Sequence, residues 1–171
     1  MRLITSLKVA LSIIILFGFN MPVTYANVEC QEDNEALRSM PLIDVTFTRK
    51  DGSTFEVESR LANNDRTRSA GFQYVCKQTI AAKPILFVFD KPRIPSFHMY
   101  NVVAGIDIAF IRPDSSIDSI QKMHPYVVIQ VDKPLYSPKS DVIAAFETYP
   151  NFFEVYNIDL GATVSWQLDD N

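Results

Sequence analysis

The stretch that most limits how this chain can fold runs from Ser96 to Met123, SFHMYNVVAGIDIAFIRPDSSIDSIQKM, where apolar segments follow one another with only short turns between them. Alternation and turn chemistry predict three strands, over 96–102, 106–111 and 117–123, with Arg112-Pro113-Asp114-Ser115-Ser116 as the second turn. Upstream, Leu42 to Thr48 and Thr54 to Leu61 alternate apolar and polar residues about the Asp51-Gly52 turn signal and predict an antiparallel hairpin. Ile85 to Phe89 is continuously apolar, the pattern of a strand buried on both faces. Asp141 to Thr148 and Thr163 to Leu168, the latter with Trp166, read as two more strands. Residues 125–131 are either a short strand or an extended loop.

Two short helices are expected. Asn63-Asn64-Asp65 supplies side-chain oxygens that accept the free N–H groups of a first turn, predicting a helix over 65–75, and Gly71 within it is expected to mark close packing against the sheet. Pro150 opens a helical turn over 151–157. No alternation of strand with long helix is evident, and the chain has only 5 glycines, none in a phosphate-binding loop. The fold class that follows is mainly β: an antiparallel β-sandwich or partly open barrel with two short helices.

The first 26 residues have a different character. Arg2 and Lys8 precede an apolar run from Val9 to Phe19, and Thr24-Tyr25-Ala26 closes the segment, the order of a secretory signal peptide cleaved after Ala26. A retained anchor is the competing reading, but the run is short against the roughly twenty residues that span a bilayer. Periplasmic or secreted localisation is expected, with no stable membrane insertion after cleavage. Residues 27–40, with Glu29, Glu32, Asp33 and Glu35, read as an acidic leader and not a packed element; 41–171 is expected to form a single β-rich domain. The formal net charge is -4, without a Lys/Arg cluster, which disfavours nucleic acid as a partner.

Both cysteines, Cys30 and Cys76, fall after the signal segment. In an oxidising compartment an even count favours a bridge, worth about 4 kcal/mol by the loop-entropy model. Two separate thiols are the alternative, with Cys76 the one that would be reactive. Against reactivity, there is no C-x-x-C pair and no adjacent base.

Gly71-Phe72-Gln73, Ile85 to Phe89, Ser96-Phe97-His98-Met99-Tyr100-Asn101 and Ile106-Asp107-Ile108-Ala109-Phe110-Ile111 occur in an order that resembles the bacterial and archaeal family known as domain of unknown function 192. The similarity runs from about Val45 to Val164. It implies a single, mainly β domain, often exported, with no established activity. The chain departs from the family pattern at His98, where the family carries tryptophan, and at Val102, where it carries threonine.

No nucleophile elbow, His-Glu-x-x-His or paired cysteine and base is present, so no catalytic residue and no cofactor is assigned. Asp90, Asp107, Asp118 and Asp132 cannot be ranked as acids or bases from spacing. Asp107 stands among Ile106, Ile108, Ala109 and Phe110, so it is expected to be buried and bonded, with Asn101 or Tyr100 as partner. His98-Met99 and Met123-His124 have the ligand types of a periplasmic copper site. Strand alternation puts His98 and Met99 on opposite faces, so no metal site is assigned. The remaining candidates are His98, Tyr100, Asn101, Asp107, Tyr126 and Tyr136, a polar and aromatic set suited to a groove at a sheet edge. The function expected is that of an exported binding or envelope accessory module for a small molecule, glycan, peptide or envelope protein. The alternative is an envelope enzyme acting on a carbohydrate or peptide bond, with Asp107 and His98 near its site, and the second alternative is a periplasmic copper-binding protein using His and Met ligands.

Overall fold

The computed structural model describes residues 29–126 and 131–168. The expected signal peptide over 1–26 therefore lies outside the described residues, as does most of the stretch over 125–131 expected as a strand or extended loop.

Seven strands form one mixed sheet: β1 (Leu42–Thr48), β2 (Thr54–Ala62), β3 (Ile85–Arg93), β4 (Ile106–Ile111), β5 (Ile117–Met123), β6 (Val142–Thr148) and β7 (Thr163–Trp166), in the order β5-β4-β6-β3-β2-β1-β7. The β1–β2 hairpin closes as the sequence predicts, with Thr48 opposite Thr54. Gly52 takes the left-handed turn position at φ 82°, and the Asp51 carboxylate accepts the Ser53 N–H at 2.9 Å. β4 and β5 likewise pair with Ile111 opposite Ile117.

One pairing departs from the expected antiparallel plan. β2 and β3 are parallel, in the register Arg60–Ile85, Leu61–Leu86 and Ala62–Phe87. The crossover between them, residues 63–84, carries α2 (Asp65–Ala70) and α3 (Lys77–Ala82), so a β-α-α-β unit exists where none was expected. Each helix is six residues long, too short to display a helical apolar period. Asn64 caps α2 as read from sequence, accepting the Thr67 N–H at 3.1 Å, and the helix ends at Ala70 because Gly71 leaves helical geometry at φ 48°.

The four helices among the described residues include two that the sequence does not signal, α1 (Glu35–Ser39) and α3; α4 (Phe152–Val155) falls where Pro150 places it. The acidic leader is packed and not loose. Asn34 caps α1, and Leu37 and Met40, only 2% and 3% exposed, join the core. The expected strand over 96–102 is absent. Phe97 makes a lone antiparallel bridge with Tyr136, the Val102 N–H donates to the Met99 carbonyl, and Asn101 is left-handed at φ 58°. Met99 and Val102 are both buried, a three-residue spacing that a turn, but not a strand, puts on one side.

Strand alternation divides the interior in two. Ile106, Ile108 and Phe110 of β4 pack with Ile85, Phe87 and Phe89 of β3 in a cluster roofed by α1, α2, α3 and the 94–105 loop. Ala109, Ile111, Leu86 and Phe146 point the other way, into a cluster with Val45, Phe47, Val164 and the α4 residues Phe152 and Phe153. Residues from both ends of the strand order share this second cluster, so the sheet curls around it. It does not close. β5 and β7 meet at one corner only, through a Ser116–Thr163 bridge in which Ile117 N–H donates to Ala162 and Val164 N–H to Ser115.

Cys30 and Cys76 are bridged, tying the segment before α1 to the start of α3. Gln31 reinforces the tie by pairing with Val75. Replacing both cysteines with serine is expected to lower stability by about 2–4 kcal/mol, read from urea unfolding as a lower midpoint with a steeper slope, since the unfolded chain without the bridge exposes more surface. An unchanged midpoint would show that α1 packing already holds the leader in place.

Candidate functional site

A cavity of about 340 Å³ opens between α2, β3 and the 94–105 loop. Its floor is the carboxyl of Glu147 on β6, which stands opposite Ile85 of β3 and Ile108 of β4 in register and so shares their face of the sheet. Glu147 is 5% exposed, and burial pushes its carboxyl up to about 8. No hydrogen bond to that carboxyl is found among the described residues. At neutral pH it is therefore a neutral acid, able to donate one hydrogen bond and accept others.

Gly71 forms the roof. A side chain there would stand 3.8 Å from Glu147 Oε2 and 3.6 Å from the Phe87 ring, so the missing Cβ, together with the positive φ, is what leaves the space above the carboxyl open. The close approach to the sheet expected of Gly71 is present in that form. Phe72, Phe87 and Phe97 supply apolar wall, Phe87 and Phe97 meeting edge to face at 5.1 Å. Arg68 and Arg93 reach the cavity from opposite sides. Arg68 is held by the Val88 carbonyl at 2.8 Å and by Asp65 at 2.9 Å.

Of the six residues singled out from sequence, His98 lines this cavity; Tyr100, Asn101 and Tyr136 each touch a lining residue, and Tyr126 packs on Tyr100. His98 lines it and accepts the Tyr100 N–H on Nδ1 at 3.3 Å. Tyr100, 42% exposed, packs edge to face on His98 and on Tyr126, and Lys133 Nζ lies 4.8 Å from its ring centre. Asn101 donates to Gln73, another cavity residue, at 3.1 Å. Tyr136 clips the loop by exchanging two backbone hydrogen bonds with Phe97, and its hydroxyl accepts the His124 N–H at 3.2 Å.

Asp107 is elsewhere. It is 2% exposed, buried as the sequence implies, but its position in β4 turns it to the opposite face from Glu147. Its partner is neither Asn101 nor Tyr100: Oδ2 accepts the backbone N–H of Asn151 at 2.8 Å, which anchors the left-handed residue that starts α4. Burial raises the Asp107 carboxyl above its ordinary range, opposed by that hydrogen bond and by Lys122. A site joining Asp107 to His98 has no geometric counterpart. Met99 and Met123, at 1% exposure each, pack in the core, and no cluster of three or more His, Cys, Asp or Glu side chains suited to a metal occurs among the described residues.

Glu147 was missed from sequence although its signal resembles that of Asp107, a carboxylate within the apolar strand VIAAFET. Its position next to the Pro150 turn reads as a strand end, where a charge faces solvent. Only the crossover from β2 to β3 shows that this end is covered.

A curled, open mixed sheet with short helices packed against both faces and a cavity over a buried acid is the class of domain defined by this geometry. The chain belongs to the DUF192 family, described as "Uncharacterized ACR", whose model matches residues 45–166. A crystal structure of a candidate transcription regulator from Sinorhizobium meliloti 1021 superposes with a TM-score of 0.64 at 20% identity, covering 75% of this chain and 95% of that one. A protein of unknown function from Novosphingobium aromaticivorans DSM 12444 gives 0.64 at 19% identity, covering 84% of this chain and 99% of that one. These similarities establish the fold. No curated protein matches the chain.

Two outcomes test the site's electrostatics. Between about pH 4.5 and 8 the unfolded chain ionises Glu147 while the folded chain keeps it protonated, so stability falls as pH rises through that window. Glu147→Gln is expected to remove this slope, a relative gain of roughly 4–5 kcal/mol by the alkaline end, measured as urea midpoints across the window. Equal slopes in the two proteins would refute the burial-induced shift. Asp107→Ala is expected to cost about 1–3 kcal/mol by orphaning the Asn151 N–H, with Asp107→Asn recovering most of it.

Proposed function

We propose that this protein is an exported ligand-binding module whose ligand seats over Glu147, with His98, Tyr100 and Tyr126 forming its approach. The observation that carries the reading is the unpartnered, buried Glu147 carboxyl at the floor of an open cavity. Buried polar groups are nearly always satisfied, and a group left without a protein partner beside an open space is suited to one supplied by a ligand. Aromatic rings stepping outward from the mouth add contact area with little entropy to lose on binding.

Export is supported by the charge, apolar run and small-residue end of residues 1–26 and by the Cys30–Cys76 bridge, which suits an oxidising compartment. Among the described residues no helix is long and apolar enough to cross a membrane.

The test is a fragment screen of short glycans and peptides against residues 27–171 with the disulfide formed, followed by backbone amide NMR. Binding is expected to move the amide signals of Gly71, Phe72, Gln73 and His98 together. Shifts confined to the α4 face, or none with any fragment, would refute the reading. Turnover of a bound fragment would make the module an enzyme, with Glu147 placed as its general acid.

A further inference from the structure

Two groups of opposite chemical character line the same cavity without a partner. Arg93 has no carboxylate within salt-bridge distance among the described residues, its guanidinium resting instead 5.7 Å from the centre of the Phe89 ring. Arg68, by contrast, is balanced by Asp65 at 2.9 Å and Asp90 at 3.7 Å. Glu147 pairs with neither arginine. The same cavity is also lined by the aromatic rings of Phe72, Phe87 and Phe97.

We propose that the cavity receives a small zwitterion, with an ammonium group seated on Glu147, a carboxylate or other anion seated on Arg93, and a short apolar spacer against the phenylalanines. The inference rests on the binding reading above and deepens it by naming the ligand class. The reasoning is one of pairing. A carboxylate buried alone is costly, but one that receives a cation and its hydrogen bonds gains a charge-assisted contact in a site of low dielectric. Arg93 gives the other end of the ligand an anchor that leaves Arg68 and its aspartates undisturbed.

Such binding is linked to a proton. The charged or titratable groups facing the cavity are Asp65 and Arg68 from α2, Arg93 from β3 and His98 from the loop; the β-sheet neighbours of Glu147 in register, Ile85 and Ile108, do not titrate. Near neutral pH the acid holds its proton in the empty cavity. Arrival of the ammonium forms the carboxylate–ammonium pair and sends that proton to solvent, so charge and atoms balance.

The experiment uses ω-aminocarboxylates as a molecular ruler, from β-alanine to 6-aminohexanoate, with hexanoate and hexylamine as single-ended controls. Titration calorimetry at about pH 7, in phosphate and in Tris, counts the protons released. One chain length is expected to bind at least tenfold tighter than either control, releasing close to one proton. Arg93→Gln, at an exposed position that does not endanger folding, is expected to make that ligand bind no better than hexylamine. Glu147→Gln is expected to abolish the proton release. Hexanoate binding as tightly as the best amino acid, or binding without proton release, would overturn the inference. So would silence of the whole series while a glycan or peptide fragment still maps to Gly71 and Gln73, an outcome that leaves the binding module standing.

Discussion

The parallel pairing of β2 with β3 is the constraint on which the rest of the structure depends. Antiparallel neighbours are joined by a few residues, whereas a parallel neighbour requires the chain to travel back along the sheet before it can re-enter. Residues 63–84 make that journey over one face, and what they carry covers the first core: Phe72 and Val75 after α2, and Ile80 of α3. Cys76 is thereby brought within reach of Cys30, and α1 gains a surface against which Leu37 can be buried. Were β3 antiparallel to β2, that face of β6 would have no cover and Glu147 would stand in water.

Two buried carboxylates show how differently the same sheet treats an acid. Asp118 on β5 is surrounded by donors: Arg112 at 2.7 Å, Ser140, Ser119 and the Lys139 N–H. Although burial pushes its carboxyl up, those hydrogen bonds bring it below the ordinary range, so it is ionised and satisfied. Glu147 receives burial without the donors. The chain is thus able to satisfy a buried acid fully, and the omission at Glu147 occurs where the surface opens. Departures of this kind from local consistency tend to mark functional positions.

The elements legible in the sequence were those with a short, strict period. Leu42–Thr48, Ile106–Ile111 and Ile117–Met123 fall where alternation put them, and the order of motifs identified the family that the match over 45–166 confirms. What failed were readings that depend on tertiary cover. The 96–102 stretch looks like a strand because Phe97, Met99 and Val102 are apolar, yet Met99 and Val102 are buried and Phe97 half-buried through turns held by Asn101 and Tyr136. The leader looks soluble because Glu29, Glu32, Asp33 and Glu35 are spread through it, while Leu37 and Met40 suffice to dock it. Of the candidate residues, His98, Tyr100 and Asn101 share one loop, Tyr136 is clipped to that loop at Phe97, and Tyr126 packs on Tyr100, while His98 alone of the five lines the cavity. Asp107 joins them in the sequence reading through its expected hydrogen bond to Asn101 or Tyr100; it is buried as expected, but strand alternation sends it to the other face, where the Asn151 N–H donates to it.

The single corner at which β5 meets β7 bears on solubility in a crowded compartment. An open sheet presents two unpaired rims of N–H and C=O groups, each a template on which a stray extended chain can add a strand. Here one rim belongs to a four-residue strand and the other is engaged at its start by Ala162, so neither offers a long uninterrupted ladder. The sheet remains open enough to curl around its second core without the strand number of a barrel, yet each edge shortens the template that the other leaves, guarding the fold against self-assembly into fibres.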